Sequence, residues 1–390
     1  MQRRKLLKSG LFTLGALSGL PQLSLGAFAS QSVDLDAKGN IIRSPLVREV
    51  LPGFRKDPPA LLAKLNANEN PYGPSDSAQK AVMESVVRGN RYAWKELFDL
   101  VEKIAQKEGV PANHIMMGPG SSDLLEKVAL LAFMKGGNLV SADPTYMSLV
   151  NVSKAVGATW KAIPCKADWS HDLKAMEAAI DSNTKLVYIC NPNNPTGAVT
   201  NGDELYDFCS RVSEKVPVFV DEAYMELAGN ATRSMVGLVA QKKNVIVART
   251  FSKVMGLAGI RVGYMAAQPE FISKIDDITR GGMGIAYTSI FAANASMDDV
   301  AFQQMTIERN SKVKKYCCDE LGKLGYQYIP SHANFVLFPI AMPGKKFLEA
   351  MTAKGVGVRA FEVKGKPWCR VSMGTMDEME LFVSTLKTMS

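Results

Sequence analysis

Apolar and polar positions divide the chain into stretches of different character. Between about residues 76 and 270, short continuous apolar runs alternate with segments whose apolar residues recur every three or four positions. The runs Asn138–Ala142, Lys185–Cys190, Val216–Val220, Val245–Ala248 and Val262–Ala267 predict strands. The segments Asp123–Phe133, Thr145–Val156, Asp172–Ile180 and Gly202–Ser213 predict helices. Strands that are apolar on both faces need a cover on each side. The alternation therefore predicts an α/β fold, with a large, mostly parallel sheet between two helical layers. In such folds chemistry collects in the loops at the carboxyl ends of the strands. Upstream, residues 30–75 hold Pro45, Pro52, Pro58, Pro59, Pro71 and Pro74, which forbid a long helix and predict an irregular arm lying over other structure. The last hundred residues change again. A helix-like stretch from Asp298 to Gly322 leads to predicted strands at Asn334–Phe338 and Trp368–Ser372 and to a final helix. That pattern predicts a smaller α+β domain over 281–390, beside a large domain over 76–280. No internal repeat interrupts this order.

The first 29 residues read as an address. A basic start, Met1 to Lys8, precedes a modest apolar stretch from Leu11 to Leu20 that contains Gly15 and Gly19 and ends at Pro21. Ala27-Phe-Ala29 then offers the small residues a signal peptidase reads. The apolar part is too short to remain as a membrane anchor. Arg3-Arg4 followed by Leu6-Leu7-Lys8 resembles a twin-arginine export signal, which implies the twin-arginine machinery as a partner and a periplasmic destination. That route carries folded proteins, so a cofactor can be acquired before export.

Composition narrows the remaining classes. The 390 residues are 47% apolar and 22% charged, which excludes disordered, collagenous and disulfide-scaffold chains. A net charge of +8 raises the question of nucleic acid. Four of the positives lie in the first eight residues, and without them 42 basic residues face 38 acidic ones, or +4. With no basic run of five and no aromatic interleaving, nucleic acid is not an expected partner. The six cysteines form no Cys-x-x-Cys, and His114, His171 and His332 stand apart, so no metal site is expected.

Polar residues interrupt the apolar runs where strands end. After Lys185–Cys190 comes Asn191-Pro-Asn-Asn-Pro-Thr-Gly197, whose prolines fix a turn that holds Asn194. After Val216–Val220 comes Asp221-Glu-Ala-Tyr224, and after Val245–Ala248 comes Arg249-Thr-Phe-Ser-Lys253, with Arg261 eight residues further on. Singly, these read as a turn, a strand-end cap and a solvated lysine. In this order and spacing they resemble the fold-type I pyridoxal-phosphate enzymes, specifically class I/II aminotransferases of the histidinol-phosphate aminotransferase type. Leu65-Asn-Ala-Asn-Glu-Asn-Pro-Tyr-Gly73 and Asn90-Arg-Tyr92 are similar to that branch as well. The resemblance spans roughly residues 60 to 385.

The resemblance implies pyridoxal 5'-phosphate as cofactor and a role for each residue. Lys253 bonds to the cofactor aldehyde and then moves a proton to and from the substrate α-carbon. Asp221 faces the pyridine nitrogen and keeps it protonated. Asn194 and Tyr224 hydrogen-bond the ring hydroxyl, and Tyr146 stacks on the ring. Ser121 and Ser122, where Gly118-Pro-Gly-Ser-Ser opens a helix, join Ser252 and Arg261 around the phosphate. Tyr92 matches a tyrosine that reaches the phosphate of a neighbouring subunit, implying a homodimer with shared active sites. Ala93 and Trp94 follow it here, where the family has proline. Arg370 matches the residue that holds the substrate α-carboxylate, or the substrate phosphate in histidinol-phosphate enzymes; Arg359 matches a second anion contact, and Asn334 lies in the strand before them.

The implied reaction exchanges an amino group between an amino acid and a 2-oxo acid. Decarboxylation or C–S bond cleavage on the same cofactor is the alternative, and an exported solute-binding protein without turnover is a remote third. Two features turn the expectation away from histidinol phosphate itself. The arm stretch Leu51-Pro-Gly-Phe54 lacks the substrate-contacting tyrosine of those enzymes, and an exported protein sits apart from cytosolic histidine synthesis.

Overall fold

The computed structural model of the protein describes residues 34–52 and 60–389; the predicted signal segment, 1–29, and Phe54 lie outside the described residues. The arm supplies three short strands, β1 (Ile41–Ile42), β2 (Val47–Val50) and β3 (Ala63–Lys64). Seven strands then build the large sheet: β4 (Ile115–Gly118), β5 (Asn138–Asp143), β6 (Thr159–Pro164), β7 (Thr184–Cys190), β8 (Val218–Asp221), β9 (Val245–Thr250) and β10 (Gly263–Ala266). Their order is β4-β10-β9-β8-β7-β5-β6. Neighbours are parallel except at β10, which is antiparallel to both β4 and β9.

Alternation along the central strands fills two cores. Val187, Ile189, Val218 and Val220 point into one, and Leu186, Tyr188 and Phe219 into the other. Burial on both faces is why these strands read as unbroken apolar runs. The run Val216–Val220 becomes a strand only from Val218. Pro217 has no N–H for the ladder, although its carbonyl still accepts from Val187 N–H at 3.0 Å. Two strands of the large sheet lie outside the sequence expectation. β4 is only four residues long, and β6 is a half-exposed edge strand without a continuous apolar run.

The second sheet contains β11 (Phe335–Pro339), β13 (Arg359–Val363) and β14 (Lys366–Ser372), while β12 (Val356–Gly357) pairs in parallel with β3. Its order is β1-β2-β13-β14-β11, antiparallel throughout. The arm is therefore not an irregular cover. Its residues 47–50 form a strand of this sheet, with Glu49 opposite Phe361 and Val50 opposite Ala360. The long helix runs Val300–Lys323, capped by Asp299, whose carboxylate accepts from Phe302 N–H at 3.1 Å. A separate helix, Tyr287–Asp298, precedes it and packs Ile290, Ala292 and Ala293 into the core of the large sheet. Val313, Cys317 and Leu321 of the long helix meet Phe382 and Leu386 of the final helix, Met376–Lys387, in the core of the second sheet.

Candidate active site

The carboxyl ends of β4, β5, β7, β8 and β9 face the same way, and a cavity of about 280 Å³ lies against them. Ser121, Ser122, Tyr146, Asn194, Asp221, Tyr224, Ser252, Lys253, Arg261, Arg359 and Arg370 all line it. Each loop at this end contributes: β4 leads to the serines, β5 to Tyr146, β7 to Asn194, β8 to Asp221 and Tyr224, and β9 to Ser252 and Lys253. Asn334 lines a small recess that also touches Lys253, and its amide donates to Glu69 O at 3.2 Å. Tyr92 is 81% exposed and lines neither the cavity nor the recess.

One end of the cavity is rich in donors. Ser121 begins a thirteen-residue helix, so its first N–H groups have no partner within the helix. The Ser122 hydroxyl meets the Tyr146 hydroxyl at 3.1 Å, and Thr250 Oγ1 donates to Ser252 Oγ at 2.9 Å. Arg261, in a left-handed backbone conformation (φ 61°), donates to Ala258 O at 2.9 Å and to Pro119 O at 3.2 Å. Gly120 has φ 88°, and a side chain there would run into the Arg261 guanidinium; one at Gly263 would come within 2.6 Å of Ser121 N. Gly120 thus leaves room for the guanidinium, and Gly263 lets β10 approach the helix start.

The other end holds the titratable groups. Asp221 is buried, and its Oδ1 accepts from Ala223 N–H at 3.1 Å. Burial pushes its carboxyl up to about 6, partly opposed by that N–H and by Lys253. Lys253 Nζ donates to Asn68 O at 3.0 Å and lies 5.3 Å from the Tyr224 ring centroid. Burial, with the Arg370 charge behind it, brings the amine down to about 8, so an appreciable fraction is neutral near pH 7–8. The Tyr224 hydroxyl accepts from Asn194 Nδ2 at 3.4 Å and from Asn68 Nδ2 at 3.1 Å.

A second chamber of about 290 Å³ shares Tyr146, Asn194, Arg359 and Arg370 as a common wall. Arg370 is buried, donates to Asn194 Oδ1 at 2.8 Å and to Asn66 O at 3.3 Å, and leaves its Nε without a partner among the described residues. Burial and the Arg359 charge bring it down to about 10, still cationic at neutral pH. Arg359 lies directly opposite it on the sheet and is ion-paired with Glu49.

Sequence reasoning assigned no role to Asn68, Ser372, Arg43 or Glu49. Asn68 (φ 53°) is bound through both its N–H and its Oδ1 to the Ser372 hydroxyl, each at 2.8 Å, two residues beyond Arg370. It therefore ties the arginine-bearing strand to Lys253 and Tyr224. Its signal was present, since it lies within Leu65–Gly73. Arg43 and Glu49 carried no local signal.

These residues fit pyridoxal phosphate. A dianionic phosphate matches the helix start, the hydroxyls and Arg261. A protonated ring nitrogen matches a buried carboxylate, and an aldehyde matches an amine with an appreciable neutral fraction near pH 7–8. The fold and this donor set define a fold-type I pyridoxal-phosphate enzyme. The family model of aminotransferase class I and II matches residues 62–386, and the chain belongs to that family. It is 36% identical over 327 residues to histidinol-phosphate aminotransferase 2 of Haemophilus influenzae (strain 86-028NP), covering 83% of this chain and 89% of that protein. Identity to the histidinol-phosphate aminotransferase of Akkermansia muciniphila is also 36%, over 84% of this chain and 89% of the relative. Among solved structures, histidinol-phosphate aminotransferase from Sinorhizobium meliloti in complex with pyridoxal-5'-phosphate matches with a TM-score of 0.78 at 25% identity, over 85% of this chain and 92% of that one. The protein is a pyridoxal-phosphate-dependent aminotransferase.

Proposed function

We propose that the enzyme transfers the amino group of an amino acid to a 2-oxo acid, with Lys253 as its proton carrier and Arg370 as its carboxylate site, and that it does so in the periplasm. The observation that carries the reading is the wall shared by two chambers. Lys253 and Asp221 lie on one side, and Arg370 is reachable from the other. When bound, pyridoxal phosphate supplies the aldehyde that accepts the amino group and the ring that takes up electrons from the α-carbon.

The chain's own residues do the rest. Ser121, Ser122, Ser252 and Arg261 hold the phosphate, and Asp221 keeps a proton on the ring nitrogen. Asn194 and Tyr224 fix the ring plane from its hydroxyl, and Tyr146 covers its face. Arg370 orients the substrate by its carboxylate, with Nε and the unused N–H groups of its fork as donors. Lys253 Nζ, brought down to about 8 by burial, would take the α-proton as a base and would be the group to return it at the cofactor carbon. Arg359, ion-paired with Glu49, stands beside Arg370 in the shared wall. Tyr92, exposed in its own subunit, fits a contact with a second copy, in keeping with a homodimer.

Two experiments test this reading. The purified protein should be yellow, borohydride should fix the cofactor to Lys253, and Lys253→Ala should abolish turnover without unfolding the chain. Mapping the fixed cofactor to another lysine would refute the assignment. Incubated with an amino acid alone, the enzyme should release about one 2-oxo acid per active site and no carbon dioxide or thiol. Continuous release of either would establish decarboxylation or C–S cleavage instead.

A further inference from the structure

The wall shared by the two chambers carries a charge arrangement that the reaction does not require. Arg359 and Arg370 are directly opposite on β13 and β14, and like charges so placed repel. The compensating anion comes from the arm. Glu49, on β2 and opposite Phe361, reaches across to Arg359 with one carboxylate oxygen. Its other oxygen accepts from Arg43 Nε at 2.6 Å. The Glu49 side chain is 9% exposed, whereas those of Arg43 and Arg359 are 32% and 35% exposed, so the carboxylate is the most enclosed member of the three. Burial alone would raise its pKa, but the two guanidiniums outweigh burial and hold it below the usual carboxylate range. Glu49 is therefore an anion at neutral pH, fixed beside the second arginine of the shared wall.

We infer that Glu49 is a specificity-determining residue: a built-in counter-anion that holds the charge of Arg359 in check, so that the side-chain subsite favours amino acids with an uncharged side chain over acidic or phosphorylated ones. The inference rests on the reading of Arg370 as the α-carboxylate site. A substrate anion at Arg359 must share that guanidinium with a carboxylate already paired to it and is repelled by the same carboxylate. At side-chain distances in a partly enclosed site, such repulsion amounts to roughly tenfold in affinity. Arg43 opposes the effect, because it draws part of the Glu49 charge away from Arg359.

Succinate and succinamate test this on the full-length holoenzyme, since they differ only in the charge of the distal group and do not react. Binding is followed by the change in cofactor absorbance. Glu49→Gln should tighten succinate relative to succinamate by about tenfold, and Arg43→Gln should shift the ratio the opposite way. A Glu49 that only props Arg359 in place predicts the reverse, a loss of succinate affinity in Glu49→Gln. That result, or equal shifts for both ligands, overturns the inference and leaves Arg370 untouched. If neither ligand binds the wild type, or if Arg370→Lys leaves both affinities unchanged, the carboxylate site itself is misplaced and the inference falls with it.

Discussion

Burial acts on Asp221 and Lys253 in opposite senses, and both results suit the chemistry proposed for them. The carboxyl moves up to about 6 and the amine down to about 8, because each loses hydration of its charged form. The same shift makes Asp221 a burden on the protein without cofactor. Its folded-state value lies above the ordinary 3.8, so the folded form binds its proton more tightly than the unfolded form. The penalty is therefore absent below about pH 4, grows as pH rises, and is complete above about 6. Asp221→Asn removes the charge at constant shape. The cofactor-free variant should be more stable than wild type at pH 7 by about 1–3 kcal/mol, with the advantage vanishing near pH 4. Urea unfolding at both pH values measures it. Cofactor affinity should move the other way, falling at least tenfold, because the ring nitrogen loses its counter-charge. A variant destabilised at pH 7, or one that binds cofactor as wild type does, would contradict the proposed role.

At the level of elements, the strand ends do the assembling, and most of them were readable. β5, β7 and β9 lie within two residues of the apolar runs that predict them, because a strand buried on both faces is mostly apolar. The candidate site was legible for the same reason: Asn194, Asp221 and Lys253 are polar residues that follow such runs closely. What escaped depends on distant pairing. β6 is an edge strand with half-exposed residues, and β2 acquires its meaning only when Glu49 comes opposite Phe361, more than three hundred residues away. No local pattern announces that partner, so nothing in the sequence singles out Arg43 or Glu49. The turn between β4 and its helix tests the phosphate end of the site. Gly120→Ala puts a side chain into a backbone conformation that L-residues avoid and into the space of the Arg261 guanidinium. Pyridoxal phosphate should bind roughly tenfold to a hundredfold more weakly, since both the helix start and the arginine must shift. Fluorescence titration of the cofactor-free protein gives the number. Unchanged affinity would place the phosphate elsewhere.

For the whole molecule, the proposal with the widest consequence is that the enzyme crosses the inner membrane already folded. The cysteines bear on this. All six are free thiols; Cys190, Cys209, Cys317 and Cys369 are buried, and burial pushes the half-buried Cys165 thiol up to about 12. Thiols held in this state are poor nucleophiles, so the folded chain can enter an oxidising compartment without forming disulfides. An unfolded chain arriving there would instead present six reactive cysteines. The active site points the same way, since its donors come from the ends of five strands and from a second sheet joined to the arm. The cofactor can be gripped only once these have come together, and folding in the cytosol lets that happen where pyridoxal phosphate is at hand. The signal should then be read through its arginine pair and not through its charge. Replacing Arg3 and Arg4 by lysine keeps the charge and should leave uncleaved, cofactor-loaded, active enzyme in the cytoplasm. Wild type should yield shortened, active enzyme in the periplasmic fraction. Cell fractionation, with aminotransferase activity and cofactor absorbance measured in each compartment, distinguishes the cases. Undiminished periplasmic activity in the double variant would mean that the chain travels by another route. Inactive precursor in the cytoplasm would mean that folding and cofactor capture wait until after export.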